Sequence, residues 1–313
     1  MTRTDILSIG EPMIEFNQTA PGEPRYLQGF GGDTSNMIIA AARLGARTAY
    51  VTRIGDDAFG RMFVRLWQSE GVDTQGVRVD ALAHTAVYFV THGDRGHEFS
   101  YLRAGSAASR LAPADLPLDL VRAARFVHAS GISMAISSTA ADAVLAAFDA
   151  ARAAGAQVAF DSNLRLKLWP LARARALVGA AASACDFFFH SLDDAVLLSG
   201  EEAPEANLDW AHRAGAPVVF LKLGAQGVLV SDGTRVERIA GHAVQAVDAT
   251  GAGDCFCGAA LARLAAGDPV FDAARYANAA AALATTGFGA VAPLPRAPDV
   301  ERLLHGRPGR ATS

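Results

Sequence analysis

The stretch Ala246-Val247-Asp248-Ala249-Thr250-Gly251-Ala252-Gly253-Asp254-Cys255-Phe256-Cys257-Gly258-Ala259 decides how this chain reads. Residues Ala243 to Val247 have the apolar character of a strand. Two glycines then allow a tight turn after Asp248, and an Ala-rich helical segment runs on to about Ala266. A helix that begins this way leaves N–H groups unpaired at the positive end of its dipole. An anion sits readily there. Asp254 falls in the first turn, so amides able to hold a phosphate lie beside a carboxylate able to accept a proton. The same residues would also serve a plain helix start, with Asp254 merely complementing the dipole.

Working outward, the chain has 313 residues, 51% of them apolar, and no linker that would separate independent domains, so residues 1–313 read as one α/β domain. The formal net charge is −4 with no clustered Lys/Arg run. That excludes the electrostatic footprint of a nucleic-acid or anionic-membrane binder. The apolar run after Asp5 spans only Ile6 to Ile9, and no segment of 18 apolar residues occurs, so the expected location is cytoplasmic. Cys255 and Cys257 would lie about 200° apart around a helix, which reads as core packing rather than metal binding.

Short Val/Ile/Phe runs alternate with longer Ala/Leu segments, the pattern of βαβ units on a largely parallel sheet. The strand candidates are Ile6–Ile9, Ala49–Thr52, Phe126–His128, Val158–Phe160, Phe187–Phe189 and Val218–Leu221. Polar residues and glycines gather just past them, at Gly10-Glu11, Gly55-Asp56, Ser130-Gly131, Asp161-Ser162-Asn163, His190-Ser191 and Lys222-Leu223-Gly224. Open α/β sheets bind ligands at that edge. Residues 13 to 30 and 84 to 103 break the alternation. The second reads as a hairpin, Thr85–Val90 and His97–Tyr101 around a polar turn, and the two regions are expected to form a small separate sheet acting as a lid, a dimer surface, or both.

A second glycine turn, Gly31-Gly32-Asp33-Thr34-Ser35-Asn36, feeds a helix that Gly45 is placed to end. A plain helix start would need neither two glycines nor an Asn one turn in. A further Ala-rich helix is expected from Asp272 to Gly287, with Asn278 on one side, and the tail from His305 to Ser313 is expected to fray.

Together, Asp-x-Thr-Gly-Ala-Gly-Asp and Gly-Gly-x-x-x-Asn resemble the signatures of the ribokinase-like (PfkB) carbohydrate kinases, and the resemblance covers nearly the whole chain. It implies a three-layer ribokinase-like domain with a small β-sheet lid. It also implies phosphoryl transfer from ATP with Mg²⁺, Asp254 as general base and the Gly251-Ala252-Gly253 amides as anion hole. Gly31, Gly32 and Asn36 would bind sugar hydroxyls. Asn163, Ser191, Lys222, Gly224, Gly227, Gly251, Gly253 and Asn278 would hold the nucleotide. The family's metal-associated Asn-x-x-Glu stands here as Ser191-Leu192-Asp193-Asp194, so no side chain is assigned as a metal ligand.

Within the family the chain is most similar to the 2-keto-3-deoxygluconate kinases, through Gly10-Glu11-Pro12-Met13-Ile14-Glu15, the Gly-Gly-Asp-Thr start at Gly31, Ser130-Gly131-Ile132 and Asp161-Ser162-Asn163-Leu164-Arg165 with Leu168-Trp169. An acid substrate calls for arginine, whose planar fork matches a carboxylate. The resemblance gives Tyr88, Tyr101 and Arg103 as lid residues on the substrate and Arg165 as a partner of carboxylate or phosphate. The expected partners are thus a sugar acid and ATP, with no nucleic acid or membrane, and a homo-oligomer formed through the lid sheet. Leu164, Leu223 and Ala249 stand where the family often has Tyr, Arg and Thr. Two alternatives stay open: a neutral-sugar kinase such as a fructokinase, and a catalytically idle sugar-binding regulator.

Overall fold

The computed structural model describes residues 4–93 and 96–306, so the tip of the 84–103 hairpin and the tail beyond Gly306 lie outside the described residues. Thirteen strands are described. They are β1 (Ile6–Ile9), β2 (Met13–Gln18), β3 (Tyr26–Gly31), β4 (Thr48–Gly55), β5 (Val77–Asp80), β6 (Ala86–Gly93), β7 (Gly96–Leu102), β8 (Phe126–Ser130), β9 (Gln157–Asp161), β10 (Phe187–Ser191), β11 (Val218–Lys222), β12 (Val228–Ser231) and β13 (Val236–Ile239). Nine of them form one sheet in the order β13-β12-β11-β10-β9-β8-β1-β4-β5. It is parallel from β11 to β5, and β12 runs against its two neighbours β11 and β13.

The helices are α1 (Asp33–Arg43), α2 (Ala58–Ser69), α3 (Leu118–Ala123), α4 (Gly131–Ala135), α5 (Ser138–Ala153), α6 (Leu171–Ala184), α7 (Leu192–Ser199), α8 (Pro204–Arg213), α9 (Ala252–Ala266), α10 (Val270–Ala284) and α11 (Ala297–Leu304). They cover both faces of the large sheet. Phe187 and Phe189 of β10 enter one core with α1, α2, α9 and α10, while Phe188 between them enters the other with α5, α6 and α8. Burial on both faces is why these strands read as continuous apolar runs.

β3, β2, β6 and β7 form the separate small sheet, with β2 and β6 parallel at its centre. It matches the two regions that broke the alternation. Two expectations are corrected. Ala243–Val247 is not a strand: β13 ends at Ile239, and the following segment is drawn off the sheet by its own bonds, Ala246 N to Val244 O at 3.1 Å and Val247 N to Thr285 O at 2.7 Å. The C-terminal Ala-rich helix runs from Val270 to Ala284 and stops three residues short of Gly287, where the Thr285 hydroxyl turns back onto Ala282 O.

One close approach sets the site. A Cβ on Gly258 would lie 2.4 Å from the Met37 carbonyl oxygen, so α9 and α1 cross with almost no space between their backbones. Only glycine permits that crossing. It brings Asn36 of α1 against Asp254 of α9.

Candidate active site

β1 lies between β4 and β8, so the chain runs outward through β4 and β5 and then returns through β8 to β11. That reversal is where open α/β sheets place ligands. The starts of α1 and α9 converge on it. Gly251 caps α9 in left-handed backbone with φ 77°, as a glycine can without strain. Among the described residues the amides of Gly253 and Asp254 find no acceptor, whereas Ala252 spends its own on Ala249 O at 3.2 Å. Two donors therefore point off the helix start, as an anion site requires.

Asp254 accepts a hydrogen bond from Asn36 Nδ2 at 2.8 Å. Burial, then the charges of Asp33 and Asp161, raise its pKa to about 7, against the lowering effect of Asn36 and Lys222. The carboxylate is thus poised to take a proton near neutral pH. Beneath it, Lys222 Nζ donates to Asp161 Oδ2 at 2.7 Å, and the Cys257 thiol donates to the same oxygen at 3.1 Å. Burial alone would push the Asp161 carboxyl up, but Lys222 and Cys257 hold it below its usual value. Burial likewise opposes the Lys222 charge, and Asp161 outweighs it, so Lys222 is firmly cationic. Its ammonium lies 3.4 Å from where a Gly253 Cβ would be, directly under the first turn of α9.

Beside this start lies a cavity of about 550 Å³, lined by Lys222, Gly224, Gly227, Gly253 and Asn278 together with Phe256, Thr285 and the Gly241–Ala246 segment. Asn278 Nδ2 donates to Ala240 O at 2.7 Å and fixes the root of that segment, which is why it forms a cavity wall instead of a strand. Asp248 fixes its other end, accepting from the Thr250 amide and hydroxyl on one oxygen and from Gly289 N on the other. Five residues expected to hold a nucleotide thus share one cavity. Asn163, Ser191 and Gly251 are not in its wall. Ser191 caps α7 by accepting from Asp194 N at 3.1 Å, and Asn163 donates to Asp33 Oδ2 at 2.9 Å.

Across Asp254 from the cavity is the small sheet. Gly31 ends β3 where a Cβ would meet Tyr88 Oη at 2.6 Å, and Gly32 O accepts from Asn36 N at 2.8 Å. The Tyr88 hydroxyl donates to buried Glu15. Arg103 pairs with Glu11, which also accepts from the Ser106 hydroxyl. Burial pushes the Glu11 carboxyl up despite Arg103. Tyr101 stacks on Phe99 and is 41% exposed. Arg165 is exposed at the rim, its guanidinium donating to Leu164 O at 2.8 Å, so the two arginines have separate protein partners. Glu11, Glu15, Asp33 and Asp161 stand in stretches quoted from the sequence but were given no role of their own. Their signal was position, since Glu11 and Asp161 stand at the C-terminal ends of parallel strands.

Among the described residues no group of three or more His, Cys, Asp or Glu could hold a metal ion, and Cys255 and Cys257 are buried free thiols. Asp194 Oδ2 accepts from Ser162 Oγ at 3.0 Å and Leu164 N at 2.9 Å. Among the described residues no helix is long and apolar enough to cross a membrane.

A family model described as pfkB family carbohydrate kinase matches residues 3–297. Fructokinase-2 of Solanum habrochaites is 34% identical, with 96% of each chain covered. A 2-dehydro-3-deoxygluconokinase of Thermoproteus tenax is 35% identical, covering 96% of this chain and 94% of its own. A fructokinase of Xylella fastidiosa solved with bound ATP superposes with a TM-score of 0.89 at 27% identity, covering 97% of this chain and 98% of that one.

Proposed function

The chain belongs to the PfkB family of carbohydrate kinases, and on that premise we propose that it transfers the γ-phosphoryl group of ATP to the primary hydroxyl of 2-keto-3-deoxygluconate. The products are 2-keto-3-deoxy-6-phosphogluconate and ADP. The observation that carries the reading is Asp254, a half-buried carboxylate with a pKa raised to about 7, at a helix start whose open amides border a nucleotide-sized cavity.

ATP lies in the cavity with its phosphates toward α9. Asp254, oriented by Asn36, takes the hydroxyl proton as the sugar oxygen attacks phosphorus. The Gly253 and Asp254 amides and the Lys222 ammonium offset the charge spreading over the phosphoryl oxygens. The lid sheet closes over the sugar and keeps water from competing as acceptor. A Mg²⁺ would be carried mainly on the nucleotide's phosphates. Asp194, whose Oδ1 has no hydrogen bond among the described residues, is the side chain suited to contact it. The ion would neutralise phosphate charge.

Arg165 supports an acid substrate, since among the described residues its exposed guanidinium hydrogen-bonds only to a backbone carbonyl, with Asp33 and Asp194 as charge neighbours, and can still grip a carboxylate. Arg103 favours a second reading, a neutral sugar such as fructose, because Glu11 already balances its charge. A coupled ADP-release assay with Mg²⁺ and ATP over 2-keto-3-deoxygluconate, its galactonate epimer, fructose and ribose separates these. Turnover of the keto acid supports the first, turnover of fructose alone the second, and none at all would favour a sugar-binding regulator. We place the reaction in the cytoplasm, where ATP is made available. We also propose a homo-oligomer through the lid sheet, supported by Tyr26, Leu27, Phe99, Tyr101 and Leu102, all exposed apolar side chains of that sheet.

A further inference from the structure

The chain between α10 and α11, residues 285–296, forms neither helix nor strand, yet Ala290, Val291 and Leu294 in it are buried. A buried irregular segment must find partners for its backbone elsewhere. Arg43, the last residue of α1, supplies them. Its Nη1 donates to Leu294 O at 2.7 Å and to Val291 O at 2.9 Å, and lies 3.5 Å from Ala292 O. The other edge of the same guanidinium forks onto Glu70 just past the end of α2, Nη2 to Oε1 at 2.7 Å and Nε to Oε2 at 3.0 Å. The two side chains are nearly buried, 11% and 10% exposed, and Arg43 holds the Glu70 carboxyl below its usual pKa. Only a planar guanidinium presents donors along two edges at once.

The same segment touches the start of α9 at two points. Gly289 N donates to Asp248 Oδ2 at 2.9 Å, and the Ala290 carbonyl oxygen lies 2.9 Å from where a Gly251 Cβ would be. Gly251 is the left-handed cap that precedes the open amides of Gly253 and Asp254. α1 therefore reaches the site from both its ends, through Asn36 in its first turn onto Asp254 and through Arg43 in its last onto the segment that backs Gly251. Phosphoryl transfer as described uses the first contact and not the second. We propose that Arg43 is a positioning residue of this kinase: it anchors residues 289–294, which hold the Asp248–Gly251 turn and so aim the Gly253 and Asp254 amides at the phosphoryl group being transferred. The inference rests on the phosphotransfer reading above. Charge on that group grows in the transition state, so a misaimed turn lowers kcat and leaves sugar binding alone.

The test uses the full chain with saturating Mg²⁺ and ATP, the sugar that the wild type turns over best in the assay above, and Arg43→Met, Arg43→Lys, Glu70→Gln and the double variant Arg43→Met/Glu70→Met. Arg43→Met removes the anchor and strands Glu70, so melting temperature and kcat should both fall, kcat by about 10-fold or more. Sugar affinity by calorimetry should stay within about twofold. The double variant removes the stranded carboxylate and should recover most of the melting temperature without recovering kcat. Glu70→Gln leaves the Arg43 donors on the carbonyls and should keep kcat near the wild type. Arg43→Lys, with one ammonium in place of the fork, should recover part of kcat. If Arg43→Met does not fold, the double variant and Arg43→Lys decide. A kcat that returns with the melting temperature in the double variant, or an affinity that falls as far as kcat, would overturn the proposal while wild-type turnover keeps the kinase reading standing. A wild type that phosphorylates no sugar would overturn both.

Discussion

Replacing Gly258 with alanine tests whether the α1–α9 crossing builds the site. The new Cβ would sit 2.4 Å from the Met37 carbonyl oxygen and 3.0 Å from the Ala40 side chain, and real Cβ contacts essentially never fall below 3.0 Å. The helices must therefore part by several tenths of an ångström. Overpacking of this kind costs about 1–3 kcal/mol. Against it runs the gain from replacing glycine in a helix, about 1 kcal/mol. Gly179 in α6 is the matched control, because nothing lies within 4 Å of its Cβ position. Gly179→Ala should gain the helix propensity and lose nothing. The two variants differ only in packing, so their melting temperatures should separate by roughly 2–10 °C, with Gly258→Ala the lower. Parting the helices also draws Asn36 from Asp254, now 2.8 Å away, and kcat of Gly258→Ala should fall by about 10-fold or more. Matching melting temperatures and full activity in both variants would refute the argument.

Three further outcomes follow from the buried charges. With Asp254 raised to about 7, kcat/KM should fall about tenfold per pH unit below neutrality, because the protonated form is no base; a profile flat from pH 8 to 5.5 would count against it. His190 is buried between Phe188 and Trp210 with neither ring nitrogen bonded, and burial lowers its pKa to about 3. The unfolded chain therefore binds this proton first, so stability is unaffected above about pH 6.5 and falls by on the order of a few kcal/mol as the pH drops toward 3. His190→Phe should leave stability at pH 8 unchanged or higher and flatten its acid side in urea titrations; a steeper acid side would contradict this. Arg103→Met should destabilise by about 3–5 kcal/mol by stranding Glu11, which is fully buried, and adding Glu11→Leu should recover most of the loss; denaturant midpoints of the single and double variants would show whether it does.

The core strands were legible because both faces of a parallel sheet are buried, so runs such as Phe187-Phe188-Phe189 carry one apolar residue after another. Asp254 and Asn36 were legible because both open a helix after glycine, a local signal. What failed was non-local. Whether Ala243–Val247 becomes a strand depends on a sheet edge, and Asn278 and Thr285 claim that segment from another helix. Arg103 reads as an open clamp until Glu11, 92 positions away, takes it as a partner. Ser191 after a strand suits a ligand or a cap equally well, and its bond from Asp194 N shows the cap while its own O–H is left to donate. Asp33 was quoted in a motif, but its bond from Asn163, 130 positions away, exists only in the fold.

The most direct test of the account is single-turnover phosphorylation of 2-keto-3-deoxygluconate by the wild type and by Asp254→Asn, with sugar binding measured in parallel by calorimetry. The account predicts that ADP and the 6-phosphate form together, that the variant loses about 10²-fold or more of the rate, and that its sugar affinity is little changed. An Asp254→Asn enzyme that keeps the wild-type rate would contradict the central claim that this carboxylate takes the proton.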